Sequence, residues 1–122
     1  MSAEHIHFFM QLRNQIKVYH WQTKVYARHI ATDKMLDAMD KVIDSFVEIY
    51  IGKYGRPKLT GKNASITLQN LTEAGATRLV TAAIKYLHGP LAKSLHAQRD
   101  TDLLNLRDEL VGHLNQLLYL FS

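Results

Sequence analysis

The chain has no cysteine among its 122 residues. Disulfides and thiolate metal sites are therefore excluded, and any transition-metal site must be built from histidine, aspartate and glutamate. Such a set of imidazole and carboxylate donors suits iron, manganese or zinc better than copper(I). Proline and glycine are missing from residues 3–51 altogether. No uninterrupted apolar run approaches the roughly 20 residues that span a bilayer. Nor is there a basic, apolar leader in Met1-Ser2-Ala3-Glu4-His5, so no membrane association and an intracellular, cytoplasmic location are expected. Excess charge is small: the formal net charge is +4, which permits contact with nucleic acid without demanding it.

What remains is an ordinary composition, 47% hydrophobic and 21% charged, in a length that suits one domain. In the stretch without breakers, Phe9, Leu12, Ile16 and Tyr19 recur at helical steps, as do Leu36, Met39, Ile43, Val47 and Tyr50. Two amphipathic helices follow, with the turn between them at Thr23–Ala27, where the periodicity is weakest. Gly52 is expected to end the second. The segment Lys53-Tyr-Gly-Arg-Pro-Lys-Leu-Thr-Gly-Lys62 then reads as a loop, and the pattern stays irregular through Asn70. A connection of roughly 15–20 residues is unusual in a compact domain. In a four-helix bundle it can cross the whole length, so that helix three runs parallel to helix two. Helix three starts near Thr72, and Gly89-Pro90 should kink or break it. Asp100 or Thr101 should cap the fourth helix. There Leu103, Leu106, Leu110, His113, Leu117 and Leu120 form a heptad seam. The expected fold is all-α: a ferritin-like four-helix bundle with a long crossover between helices 2 and 3.

Helix two carries the chemistry. At 100° per residue from Leu36, its apolar residues fall between about −80° and +20°. His29, Asp33, Asp37, Asp40, Asp44 and Glu48 fall between about +20° and +120°. The acids thus form a band on one shoulder of the core stripe. Neighbours one turn apart, such as Asp40 with Asp44, repel by a few tenths of a kcal/mol. A bound cation would remove that repulsion, and so would basic residues across an interface.

The spacing His29-x3-Asp33-x10-Asp44-x3-Glu48 is similar to the ferroxidase signature of the Dps miniferritins (DNA-binding proteins from starved cells). His20-Trp21 upstream resembles that family's His-Trp pair. The likeness covers roughly residues 19–50. It implies a homo-oligomer with a two-fold interface. His20, His29 and Asp33 of one chain would then face Asp44 and Glu48 of another, with iron between them to be oxidised by peroxide or oxygen. Zinc and manganese suit the same ligands. Here the gap from His20 to His29 is three residues shorter than in the family, its glycine is missing, and there is no lysine-rich tail. A second resemblance lies in the segment Asp100-Thr-Asp-Leu-Leu-Asn-Leu-Arg-Asp-Glu-Leu-Val-Gly-His-Leu-Asn-Gln-Leu-Leu-Tyr-Leu. It looks like the end of an uncharacterised family of small helical proteins from large DNA viruses and phages, and it implies a virion-associated, structural or accessory role.

The remaining candidates are weaker. Lys53, Arg56, Lys58 and Lys62 put four positive charges on one loop that could touch nucleic acid or an acidic partner. His113 reads as a core histidine bonded to Glu109 or Asn105. Trp21 and Tyr26 read as bundle packing, and His5 and His7 as exposed.

Overall fold

The computed structural model describes residues 2–122. Among these, every regular element is helical. Helix α1 spans Ser2–Gln22, α2 Tyr26–Tyr54, α3 Glu73–Tyr86 and α4 Thr101–Phe121, with a 3₁₀ turn at Gly61–Ala64 and a π-helical segment at Leu87–Leu91. The turn between α1 and α2 falls in the expected place and takes only Thr23–Val25. Helix α2 outruns Gly52 to Tyr54. It stops at Gly55, whose φ of 89° lies in the region that glycine alone enters freely.

Contacts fix the directions of the helices. The start of α1 lies by the end of α2, with Phe9 edge-on to Phe46, and the end of α1 lies by the start of α2. The connection then runs back along α1. His7 donates to the Ser65 carbonyl at 2.8 Å. The Gln11 amide takes both the N–H and the carbonyl of Thr67, and Gln15 does the same for Gln69. Side chains four apart on a helix thus read backbone groups two apart on an extended strand, because the two repeats are close to commensurate. Helix α3 consequently starts at the end of α1 and runs parallel to α2. Helix α4 returns antiparallel to α2, its Asp100 beside Tyr54 and its Phe121 beside Tyr19. The helices pack in the ring order α1, α2, α4, α3.

The core runs from Phe9, Leu12, Ile16 and Tyr19 through Met35, Leu36, Met39 and Phe46 to Leu103, Leu110, Leu114 and Leu117. Two stripes are rotated from their expected positions. On α4 the seam moves to Leu114 and Phe121, leaving His113 half-buried and Leu120 exposed. An untwisted helix drifts about 20° per heptad, so a strict 3-4 pattern does not stay buried. On α2, Ala31, Met35, Val42 and Phe46 are buried, while Ile43, Val47 and Tyr50 are only partly so. Around Gly89-Pro90 the chain takes a π turn and continues, so the proline is absorbed by a wider helix without a break.

Candidate functional site

Rotation of α2 moves the acidic band outward. The buried arc centres near −80° and the acids near +80°, about 160° apart. Asp33, Asp37, Asp40, Asp44 and Glu48 are all exposed. Asp40 is held by the Arg13 guanidinium, at 3.0 and 3.2 Å. No lysine or arginine reaches the other four among the described residues.

His29 sits at the inner edge of the band, and there the short turn does something specific. His20 and His29 stack face to face, with ring centroids 4.0 Å apart and planes 15° from parallel. Nδ1 of His20 lies 2.9 Å from the His29 carbonyl, and Nδ1 of His29 lies 2.9 Å from the His20 carbonyl. A carbonyl can only accept, so each ring carries a proton on Nδ1, and in the neutral ring the Nε2 lone pair is then free. The His20 Nε2 points toward Asp33, 4.0 Å from its Oδ1. That gap is about twice the ~2.0 Å length of a metal–nitrogen or metal–oxygen bond. Metal-binding histidines commonly donate their other ring N–H to a carbonyl, as both do here.

Thr32 completes the group. It is 0% exposed, whereas His20 is 6% exposed. Its hydroxyl donates to the Arg28 carbonyl at 2.8 Å and lies 2.9 Å from His20 Nδ1. It escaped the sequence reading because it sits among apolar neighbours. A hydroxyl on the buried face beside Ala31 and Met35 is the signal that could have found it.

Beneath the turn, the Arg28 guanidinium donates to the Tyr19 hydroxyl, the Glu73 carbonyl and the Phe121 carbonyl at 3.0, 2.7 and 3.0 Å. Tyr19 and Thr23 donate to the Glu73 carboxylate. Burial would raise the Glu73 pKa, but the bonds from Tyr19 and Thr23 and the Arg28 charge outweigh it and hold it below the ordinary carboxylate range. All four helices are tied at this end, which fixes where His20 and His29 emerge.

The other expected residues are dispersed. Asp44 and Glu48 lie eleven and fifteen positions beyond Asp33, roughly 16–22 Å further along the axis. They cannot join the histidines of their own chain. Among the described residues no three metal-ligating side chains converge. Lys53 belongs to the last turn of α2 and not to the loop. Its ammonium is bound by Asp100 at 3.2 Å and Asp102 at 2.6 Å. Arg56, Lys58 and Lys62 remain as exposed loop charges. Asp100 occupies the N-cap position of α4, but its carboxylate turns back to the His96 N–H, Lys53 and Tyr54.

Three further expectations are corrected. His113 is 3.9 Å from Glu109, too far for a hydrogen bond, and is not in the core. Trp21 and Tyr26 are 68% and 77% exposed, so they pack nothing inside the bundle. His5 is 3% exposed and wholly committed to Tyr86 and Ser94. A groove of about 950 Å³ lies between α1, α3 and the crossover. Of the predicted site residues, only Lys62 lines it.

Fold and site together define an all-α, four-helix protein with a paired-histidine site where its first two helices meet. The model of DUF5856, a family of unknown function, matches residues 20–121, and the chain belongs to that family. The matched stretch takes in His20, His29, Asp33, Asp44 and Glu48. No curated protein and no solved structure matches the chain significantly. No helix among the described residues is long and apolar enough to cross a membrane.

Proposed function

We propose that this is a miniferritin-like protein that takes Fe²⁺ as substrate at a carboxylate–histidine site shared between two copies, and oxidises it with peroxide or oxygen. The observation that carries the reading is the pairing of each Nδ1 of the stacked histidines with a backbone carbonyl. Both Nδ1 protons are spent on carbonyls, which in the neutral rings leaves two Nε2 lone pairs free, that of His20 beside the Asp33 carboxylate. The single long crossover and the ring order of the helices support a ferritin-like assignment of the fold. Carboxylates favour Fe³⁺ over Fe²⁺ because they stabilise the higher charge, and imidazoles complete the set. Asp44 and Glu48, exposed and unpaired, supply the other half from a second copy. The same donors accept zinc or manganese.

Anaerobic titration with Fe²⁺, then addition of peroxide with absorbance followed, tests this reading. Saturable binding, and oxidation faster than in buffer, are expected. Mixing a His29→Ala variant with an Asp44→Asn/Glu48→Gln variant should restore part of the activity that each lacks alone. No binding by the native chain, or no restoration on mixing, overturns the shared site.

A second reading is a non-catalytic oligomeric or virion-associated structural protein. The acids of α2 other than Asp40, unpaired with lysine or arginine among the described residues, together with exposed Trp21, Val25 and Tyr26 around the turn before it, favour it. It predicts association that survives chelator and weakens with salt, because exposed charge pairs are screened.

A further inference from the structure

We infer that Thr32 is the positioning residue of the histidine pair: its buried hydroxyl holds His20 in the Nδ1–H tautomer and aims Nε2 at Asp33. The inference rests on the metal-binding reading and deepens it.

Thr32 lies in the second turn of α2, flanked on its own face by Ala31, Met35 and Leu36. Valine would fill the same space there without a polar atom to satisfy. A threonine hydroxyl that bonds back to the carbonyl four residues earlier slightly destabilises a helix. Volume and helix stability therefore do not account for it. Its bonds do. The hydroxyl hydrogen goes to the Arg28 carbonyl at 2.8 Å, with the His29 carbonyl at 3.1 Å, so toward His20 the oxygen can only accept. The His29 carbonyl accepts from His20 Nδ1 at the same 2.9 Å, but it is shared with the helix amide four residues on and lies 3.1 Å from the Thr32 hydroxyl. Thr32 Oγ1, its hydrogen given to the Arg28 carbonyl, is the second and less heavily shared acceptor.

Without Thr32 Oγ1 only the shared His29 carbonyl holds the Nδ1 proton, so the His20 ring is freer to turn over or shift its proton to Nε2, and either change removes the lone pair facing Asp33. The neighbouring His29 ring has its own carbonyl partner and should not change. The defect is therefore specific to one of two stacked rings.

The test compares Thr32→Val, Thr32→Ala and Thr32→Ser with the native chain. Ring ¹⁵N NMR of the metal-free protein reads the tautomers, and Co²⁺ titration at neutral pH reads affinity. Thr32→Val should lose the Nδ1–H form of His20 but keep that of His29. It should bind Co²⁺ about 10–100-fold more weakly, the usual cost of losing an outer-shell partner. Thr32→Ala answers the same question if the valine variant does not fold. Thr32→Ser, which keeps the hydroxyl, should restore the native tautomer and affinity. A valine or alanine variant with native tautomer and affinity overturns the inference, and so does a serine variant that behaves like valine. If the native chain binds no Co²⁺, the metal reading fails, but the NMR comparison still decides what Thr32 does to His20.

Discussion

His5 and His20 stand at opposite ends of α1 and are buried almost equally, yet only one is free for chemistry. Ser94 spends its hydroxyl hydrogen on the Leu91 carbonyl at 2.7 Å, so it accepts from His5 Nε2–H. Nδ1 of His5 accepts from the Tyr86 hydroxyl at 2.8 Å. Both nitrogens are committed, and the ring ties α1 to the two sides of the π turn. His20 commits one nitrogen and keeps the other. The pair teaches that burial does not distinguish a histidine closed to ligands from one still open to them; the count of unspent ring nitrogens does.

That contrast can be broken most sharply by deletion. His20→Ala should weaken Co²⁺ or Fe²⁺ binding by more than the ~100-fold that an outer-shell loss can cost, while His5→Leu should leave affinity unchanged in calorimetric titration. Equal loss in both would make the histidines indirect contributors. Next in size is stability. His5→Leu orphans the half-buried Tyr86 hydroxyl and should cost on the order of 2 kcal/mol in denaturant unfolding. His20→Ala, at the edge of the turn, should cost about half of that.

The third test is pH. Burial lowers the His5 pKa from 6.5, partly offset by Glu4, so the unfolded chain takes up a proton before the folded one does. Stability is then highest above pH 6.5. It falls as pH drops toward the folded value, at up to ~1.4 kcal/mol per pH unit. Thermal unfolding between pH 7 and 5 should show this slope, and His5→Leu should flatten it. A second loss should set in at lower pH. Burial would raise the Asp100 pKa, but the His96 N–H, Tyr54 and Lys53 hold it below its ordinary 3.8. Its contribution is therefore present above 3.8 and lost as pH falls through the folded value, and Glu73 behaves alike from 4.5. The smallest effect belongs to Trp21. Trp21→Ser should change monomer stability by less than ~0.5 kcal/mol, because the side chain is exposed. A larger drop, seen only at high protein concentration, would place it in an interface.

Much of the architecture was readable in local pattern. A 3.6-residue period survives in any helix that must bury one face, so α1 and the existence of α2, α3 and α4 follow from their apolar spacing. The irregular stretch around Gly55 and Pro57 is the crossover, and Asp100 is indeed where α4 begins. The rotation of α2 was not readable. Met35, Val42 and Phe46 compete with Ile43, Val47 and Tyr50 for the core, and only packing against α1 and α4 selects between them. Gly52 and Gly55 are equally good helix stops by type; the stop falls where the backbone takes positive φ.

The sequence by itself determined the donors available to this protein: no thiolate, and a His/Asp/Glu pattern on helix two. It also determined that four helices must share one long connection. Tertiary structure alone decided what those donors can do. Lone pairs are consumed or spared by partners far apart in sequence. The Thr23–Val25 turn folds His20 onto His29 and Thr32, leaving two Nε2 atoms free, while Tyr86 and Ser94, more than 80 residues away, close His5. Helix geometry then carries Asp44 and Glu48 away from the pair, because eleven residues of α-helix cannot be folded back on themselves.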